Sequence, residues 1–144
     1  MFDDIFHTFI IRVRYLDMYL FFGAIMGFLS LALSAFIAHG VHLTLTAHQL
    51  HSLDTALLNL QVHAVLLIAL SAYISSKTNS VSRVIRVAAF LFIVGTLLFS
   101  VSIIFSYVFS WPGLLFLTPL GGVILLLAWL LLIIGSLIEQ MSST

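Results

Sequence analysis

Four long apolar stretches, separated by short polar segments, dominate this chain of 144 residues. They cover about residues 19–38, 53–74, 87–109 and 119–138. Apolar residues run continuously within each stretch instead of alternating with a period of two, which predicts helices and not the strands of a barrel. At a rise of about 1.5 Å per residue, about twenty helical residues cross the roughly 30 Å hydrocarbon core of a bilayer. The pattern therefore predicts an all-α membrane protein, folded as a four-transmembrane-helix bundle.

The composition excludes a water-soluble protein. Hydrophobic residues make up 62% of the chain and charged residues 7%, against roughly 25% charged residues in soluble domains. The chain contains no cysteine, which excludes disulfides and thiolate metal sites. The five cations also exclude a nucleic-acid-binding surface, because their positions are explained by membrane orientation.

The positions of the cations predict that orientation, because positive charge in short loops is retained on the cytoplasmic side of the membrane. Arg12 and Arg14 precede the first stretch, while the loops 39–52 and 110–118 contain no Lys or Arg. The remaining cations lie in the 75–86 loop: Lys77, Arg83 and Arg86. We therefore predict a multi-pass membrane protein with both termini and the 75–86 loop in the cytoplasm.

The residues outside the spans form two short cytoplasmic segments in this prediction, 1–18 and 139–144. Four apolar side chains in the first ten residues have the spacing of one helix face, which is typical of an amphipathic segment on the membrane surface: Phe2, Ile5, Phe6 and Phe9. An alternative makes residues 12–38 a cleaved signal peptide, with the small residues at 32–34 as its cleavage site. The apolar run is longer than a signal core, which favours a retained span.

Small residues form one face of the first span. The face begins with a GxxxG pair and continues for most of the span, and its members are Gly23, Gly27, Ser30, Ser34 and Ala38. Helices in lipid associate through close backbone approach, so this face predicts docking, either inside the bundle or to another copy of the chain. Gly121 and Gly122 predict a second close approach at the start of the fourth span.

The second span carries polar residues on two sides. Thr46 and Gln49 have the spacing of a capping box, which predicts that this helix begins before the membrane does. A polar seam within a sector of about 80° descends from the outer surface to mid-membrane: His48, Ser52, Thr55, Asn59 and His63. Asp54 and Gln61 point to the opposite side. We therefore expect this helix either to be central in the bundle or to meet another subunit.

Short motifs in all four spans resemble the YgdD family of small inner-membrane proteins, also called domain of unknown function 423 and related to transmembrane protein 256 of eukaryotes. The resemblance covers about residues 19–138. Its motif residues are Ala38, His39, Gly40, His63, Ser100, Ser102, Thr118, Pro119, Gly121, Gly122 and Trp129. The resemblance implies a four-span inner-membrane protein without an assigned reaction. The string Thr118-Pro119 also predicts the N-cap and first residue of the fourth helix.

The histidines are the residues best suited to a metal or cofactor site. Two pairs with i,i+3 spacing lie in or beside the outward loop and could supply four nitrogens to Zn or Cu: His39, His42, His48 and His51. Histidines are equally suited to membrane interfaces, where they cap helices or bind headgroups, so no cofactor is expected. Haem would need a second axial histidine at the depth of His63, which only a dimer could supply.

Three functions remain open at this point. The small-residue face and the two-sided second helix favour a non-enzymatic protein that binds other membrane helices, as a homo-oligomer or in a membrane complex. The polar seam from His48 to His63 favours a small transporter or channel. The outer histidines favour a metal binder. Enzymatic chemistry has no support, because the chain has neither a pair of buried carboxylates nor a phosphate-cradling glycine loop.

Overall fold

The computed structural model describes residues 2–41, 44–77 and 81–142, with side chains described for 18–40, 44–77 and 81–141. Its helices are α1 (Phe2–Phe36), α2 (Ala47–Ser76), α3 (Arg83–Thr96), α4 (Ser102–Val108) and α5 (Leu117–Ser142). A π-helical turn at Ile37–Val41 extends α1, a second at Leu97–Val101 joins α3 to α4, and a 3-10 turn at Pro112–Phe116 precedes α5.

Four of the described segments are long and apolar enough to cross a membrane, which confirms the predicted helical class. The segments are Met18–Gly40, Ala47–Ser76, Arg83–Val108 and Pro112–Met141, referred to below as spans one to four. Each overlaps one of the four predicted stretches. Span three combines α3, the π-helical turn and α4, and span four combines the 3-10 turn and α5.

The predicted N-cap of the fourth helix is wrong. Leu117 already has helical dihedral angles, φ −78° and ψ −20°, and α5 begins at this residue. The 3-10 turn that starts at Pro112 leads directly into α5, so the chain does not leave the helical region before Pro119. Thr118 is therefore free to bond to a neighbouring helix instead of capping its own.

The predicted N-terminal segment, residues 1–18, is joined to span one without a break, because α1 is continuous from Phe2 to Phe36. The side chains of residues 1–17 lie outside the described part, so the predicted amphipathic face of this segment stays a prediction. The start of α2 is confirmed: Thr46 is its N-cap, and both bonds of a capping box join Thr46 to Gln49.

Spans two and three form the centre of the bundle, and spans one and four lie outside them. Span one packs on span two, span three packs on span four, and span two meets span three. Within each span's most apolar window, 44% and 56% of residues are buried in spans two and three, against 22% in each outer span. The second helix is therefore central, and its second polar side faces out or is partly covered: Asp54 is exposed and Gln61 half-buried.

The described cations lie at one end of the bundle. Lys77 at the end of α2 makes an ion pair with Glu139 of α5 at 3.2 Å, and Glu139 also accepts from the Tyr73 hydroxyl and the Ser82 amide. The Tyr73 hydroxyl, and then Glu139, raise the pKa of Lys77. The start of span one reaches the same end, because the Tyr19 hydroxyl donates to the Arg86 carbonyl at 3.1 Å.

Glycines allow two close helix approaches. A Cβ atom at residue 23 would lie 2.9 Å from Ile68 Cγ1 and 3.0 Å from the Ala64 carbonyl oxygen of span two. A Cβ atom at residue 121 would lie 2.8 Å from Phe99 Cα and 2.9 Å from the Gly95 carbonyl oxygen of span three. Real Cβ atoms do not approach backbone as closely as at residue 121, so the contact between spans three and four depends on Gly121. At residue 23 the backbone contact would be tight, and the Ile68 side chain would have to move.

Candidate functional site

His63 is a buried polar residue between spans two, three and four, with 5% of its surface exposed. Its Nδ1 lies 2.9 Å from the Asn59 carbonyl oxygen one turn earlier. A carbonyl can only accept, so Nδ1 carries the hydrogen and Nε2 is the acceptor of the neutral ring. Nε2 is buried and has no hydrogen-bond partner. The ring thus presents an unused acceptor in the bundle interior.

Asn59 and Ser100 connect the second span to the third. The Asn59 side-chain amide donates to Ser100 Oγ at 3.1 Å, and Ser100 Oγ donates to the Ala56 carbonyl oxygen at 2.9 Å. Ser100 is fully buried and Asn59 is half-buried. This polar bridge joins the two central helices by side-chain hydrogen bonds, which are a recurring means of association for helices in lipid.

The π-helical turn at Leu97–Val101 contains Ser100. Such a turn adds a residue to the helical repeat, and π-turns inside α-helices frequently occur at functional sites. The sequence gives no specific signal for this turn, and the apolar pattern through residues 87–109 is compatible with an uninterrupted helix. The turn is thus a part of the site that sequence reasoning missed.

Two aromatic rings pack around His63. The Phe92 ring centroid is 5.4 Å from that of His63, and the Trp129 ring centroid is 6.3 Å away. Phe92 and Trp129 contact each other edge to face at 5.1 Å. Phe92 is fully buried, whereas Trp129 is 42% exposed on the outside of span four. Phe92 was absent from the sequence-predicted residues, because a phenylalanine in an apolar run carries no distinguishing signal.

Thr96 carries a second buried polar atom without a hydrogen-bond partner. Its side chain is fully buried and its Oγ1 has no partner. Thr96 lies one helical turn before Ser100 on the same span. The centre of the bundle therefore holds a satisfied bridge, Asn59 to Ser100, and two polar atoms without partners, His63 Nε2 and Thr96 Oγ1.

The outer half of the polar seam, residues 48–55, is separate from the buried polar residues at the centre of the bundle. Ser52 Oγ donates to the His48 carbonyl at 3.0 Å, and Thr55 Oγ1 donates to the His51 carbonyl at 2.9 Å, so both hydroxyls bond to their own helix. His48 and Thr55 are exposed on the surface of the bundle. Ser52 borders an open groove of about 350 Å³ that Thr118, Pro119 and Gly122 also line.

The remaining family-motif residues lie in two places. Ser102 bonds to Thr118 at 2.7 Å, which links spans three and four beside the Gly121 contact. His39 lies in the first π-helical turn with Ala38 and Gly40, and all three are exposed. The structure thus brings His63, Ser100 and Trp129 together and leaves the Ala-His-Gly motif at the surface of span one.

The outer histidines do not form a metal cluster within the described residues. His39, His48 and His51 are exposed, and the described part of the chain contains no group of three or more His, Cys, Asp or Glu residues placed to hold a metal ion. His42, the fourth predicted ligand, lies outside the described residues.

Four apolar helices, joined at their centre by neutral polar side chains, define an integral membrane protein of the multi-pass helical class. The chain belongs to the family described as "Protein of unknown function (DUF423)", which matches residues 33–122. A relative named UPF0382 membrane protein, from Haemophilus influenzae, is 36% identical over 121 residues, covering 82% of this chain and 92% of the relative.

A second relative, UPF0382 inner membrane protein YgdD of Escherichia coli strain K12, is 31% identical over 121 residues, covering 82% of this chain and 88% of the relative. These similarities confirm the family that the motifs predicted. No solved structure matches the chain.

Proposed function

We propose that this protein is a non-enzymatic component of the bacterial inner membrane, with both termini in the cytoplasm, that acts by binding other membrane helices. The inner-membrane location is supported by the name of the YgdD relative. The orientation is supported by the described cations Lys77, Arg83 and Arg86, which share one end of the bundle with the start of span one.

The observation that carries this proposal is that span two covers only one part of the small-residue face of span one and leaves the other part exposed. Gly23 and Ser30 are buried, and Gly27 is half-buried; a Cβ atom added to Gly27 would lie 3.7 Å from Ala64 Cβ of span two. Ser34 and Ala38 continue the same face and are exposed. A row of small residues favours close helix approach in lipid, and span two covers only part of this row. The exposed part is available to a helix from outside the bundle.

Photo-crosslinking in intact membranes tests this proposal. A photoreactive amino acid at Ser34 should give a discrete crosslinked product, either with a second copy of the chain or with another membrane protein. Phe36 provides the matched control, because it is 50% exposed and points about 200° around the helix from Ser34, at about 100° per residue. Crosslinking at Phe36 should yield lipid adducts and no discrete protein product.

A further test places the photoreactive group at the neighbouring residue 35. The double substitution Ser34→Leu and Ala38→Leu should then abolish the crosslinked product. The bundle should stay folded, because both substituted side chains are exposed. Equal crosslinking at Ser34 and Phe36, or no protein adduct at either position, would rule out a specific helix partner on this face.

A small transporter or channel is the second candidate, and the buried acceptor of His63 favours it. Ionisable residues inside a membrane are candidates for proton or solute pathways. Leu67 and Leu70, which follow on the same helix toward its C-terminal end, are buried and apolar. Proton or solute flux into vesicles, compared between the wild type and His63→Leu, tests this candidate. Equal flux in the two proteins would exclude a pathway through His63.

The third candidate, an outward-facing Zn or Cu site at His39, His42, His48 and His51, stays a prediction. Elemental analysis of gently purified protein tests it. Stoichiometric metal that is lost in a His48→Ala variant would support the site, and the absence of bound metal would exclude it.

A further inference from the structure

A groove of about 360 Å³ lies between the starts of spans one and three, at the end of the bundle that carries the cations. It is lined by Met18, Tyr19, Arg83, Arg86, Val87 and Phe90. Arg83 is the first residue of α3, and Arg86, Val87 and Phe90 follow at i+3, i+4 and i+7, which places them on the same helix face. The groove is therefore cationic at its aqueous end and apolar deeper in the membrane.

Arg86 is held in place but has an unused donor. Its Nη2 donates to the Val81 carbonyl at 3.0 Å, and its backbone carbonyl accepts from the Tyr19 hydroxyl at 3.1 Å. Its Nε is buried and has no hydrogen-bond partner. A buried donor without an acceptor is costly, more so on a charged group. Arg86 also lines the groove, so an anion there would lie beside a guanidinium group whose hydrogen-bonding capacity is only partly used.

None of the described residues that line the groove is acidic. Glu139, the described acidic residue at this end of the bundle, is paired with Lys77 at 3.2 Å and accepts from the Ser82 amide at 2.9 Å. Glu139 does not line the groove. Arg83 is exposed beside the opening, so two guanidinium groups border a cleft whose other walls are apolar or aromatic.

We propose that this groove binds an anionic phospholipid, with the phosphate at Arg83 and Arg86 and an acyl chain along Val87 and Phe90. Guanidinium groups bind phosphate with two parallel hydrogen bonds, and basic pockets between transmembrane helices are typical sites for anionic headgroups. The apolar inner wall favours a lipid over a free phosphate ion, because a free ion would leave Val87 and Phe90 without an apolar ligand.

Native mass spectrometry of the full chain in detergent tests the proposal by counting bound lipid during titration. Phosphatidylglycerol should bind, and phosphatidylcholine with the same acyl chains should bind more weakly. Arg83→Gln should weaken phosphatidylglycerol binding about fivefold, the usual effect of one cation near an anionic lipid surface. Arg86→Gln should weaken it at least as much. Inorganic phosphate in large excess should not displace the lipid.

Lys77→Gln is the matched control, because it removes the same charge at the same end of the bundle but outside the groove, and it should leave the affinity unchanged. Arg86 also bonds to Val81, so its variant could unfold. Arg83 is exposed, so Arg83→Gln should not disturb the fold, and thermal unfolding like that of the wild type checks this. The test can then rest on the Arg83→Gln variant. Equal losses from Arg83→Gln and Lys77→Gln, displacement by phosphate, or equal binding of the two lipids would each overturn the proposal.

Discussion

The environment of His63 leaves part of the hydrogen-bonding capacity of its ring unused. One of its ring nitrogens bonds to the Asn59 carbonyl, and the other is buried without a partner. The Asn59 carbonyl lies within the helix, so it does not depend on His63 for a donor. Because an unpaired buried acceptor costs free energy, the neutral ring contributes less to folding than its burial alone would indicate.

We therefore expect His63→Leu either to raise the free energy of unfolding or to lower it by less than about 1 kcal/mol. The substitution removes an unsatisfied acceptor and leaves a side chain of similar size. Unfolding of the purified protein in mixed micelles measures this. A loss above about 2 kcal/mol would contradict the account and would indicate that Nε2 has a bound partner in the membrane.

Ser100 should behave in the opposite way. Ser100→Ala removes the acceptor of the Asn59 amide and the donor to the Ala56 carbonyl. We expect a loss of about 0.6 to 2 kcal/mol, the range for hydrogen bonds between membrane helices. Ser136→Ala is the control for the same unfolding measurement, because Ser136 is exposed and bonds only to Ile133 of its own helix. Equal effects of the two substitutions would contradict a bridge between spans.

At the scale of the elements, the contact between spans three and four depends on Gly121. A methyl group there would meet the backbone of Phe99 and Gly95 at less than 3 Å, so Gly121→Ala should separate the helices and cost about 1 to 3 kcal/mol, as overpacking does. Gly122→Ala should have little effect, because its added carbon would lie 3.9 Å from Phe99 Cδ2. Thermal unfolding of the two variants side by side measures the difference, and equal midpoints would refute the close contact.

Most of the elements could be predicted because lipid imposes length and continuity on each span. The capping box at Thr46 and Gln49 was also predictable, because it depends on side chains three residues apart. The two π-helical turns, which contain His39 and Ser100, were not predictable, since they arise from packing between helices and leave the apolar pattern unchanged. The predicted start of α5 is wrong for a related reason. Thr118-Pro119 is a strong sequence signal for a helix start, whereas the 3-10 turn that leads into Leu117 has no comparable signal.

For the candidate site, the sequence predicted single residues better than their partners. His63 was recognisable because an ionisable group inside an apolar run is rare. Its neighbours Phe92 and Thr96 come from another span, and pairing between spans cannot be inferred from one chain. The residues of the predicted seam from His48 to His63 all lie on α2. The structure divides them by their bonds: Ser52 and Thr55 bond to their own helix, and Asn59 bonds across to span three.

At the scale of the whole molecule, the arrangement leaves the two outer spans mostly uncovered. Their outward faces consist of large apolar side chains such as Phe28, Leu31 and Leu126, which are 71%, 67% and 71% exposed. Such surfaces are stable in lipid, where the bilayer covers them. The exposed residues Ser34 and Ala38 continue the row of small residues that span two covers only in part, and for this reason we propose partner binding at that part of span one.

The proposed orientation puts the cations, the lipid groove and both termini on the cytoplasmic side of the membrane. The chain has no cysteine, so single cysteines can be introduced and labelled with a thiol reagent that does not cross the membrane. Gly113 suits the outer end, because a Cβ atom added there would meet no atom within 4 Å apart from its chain neighbours. Gly113→Cys should be labelled in spheroplasts, and Thr144→Cys should be labelled only after the membrane is opened. Labelling of Thr144→Cys in sealed spheroplasts, with Gly113→Cys protected, would contradict the account.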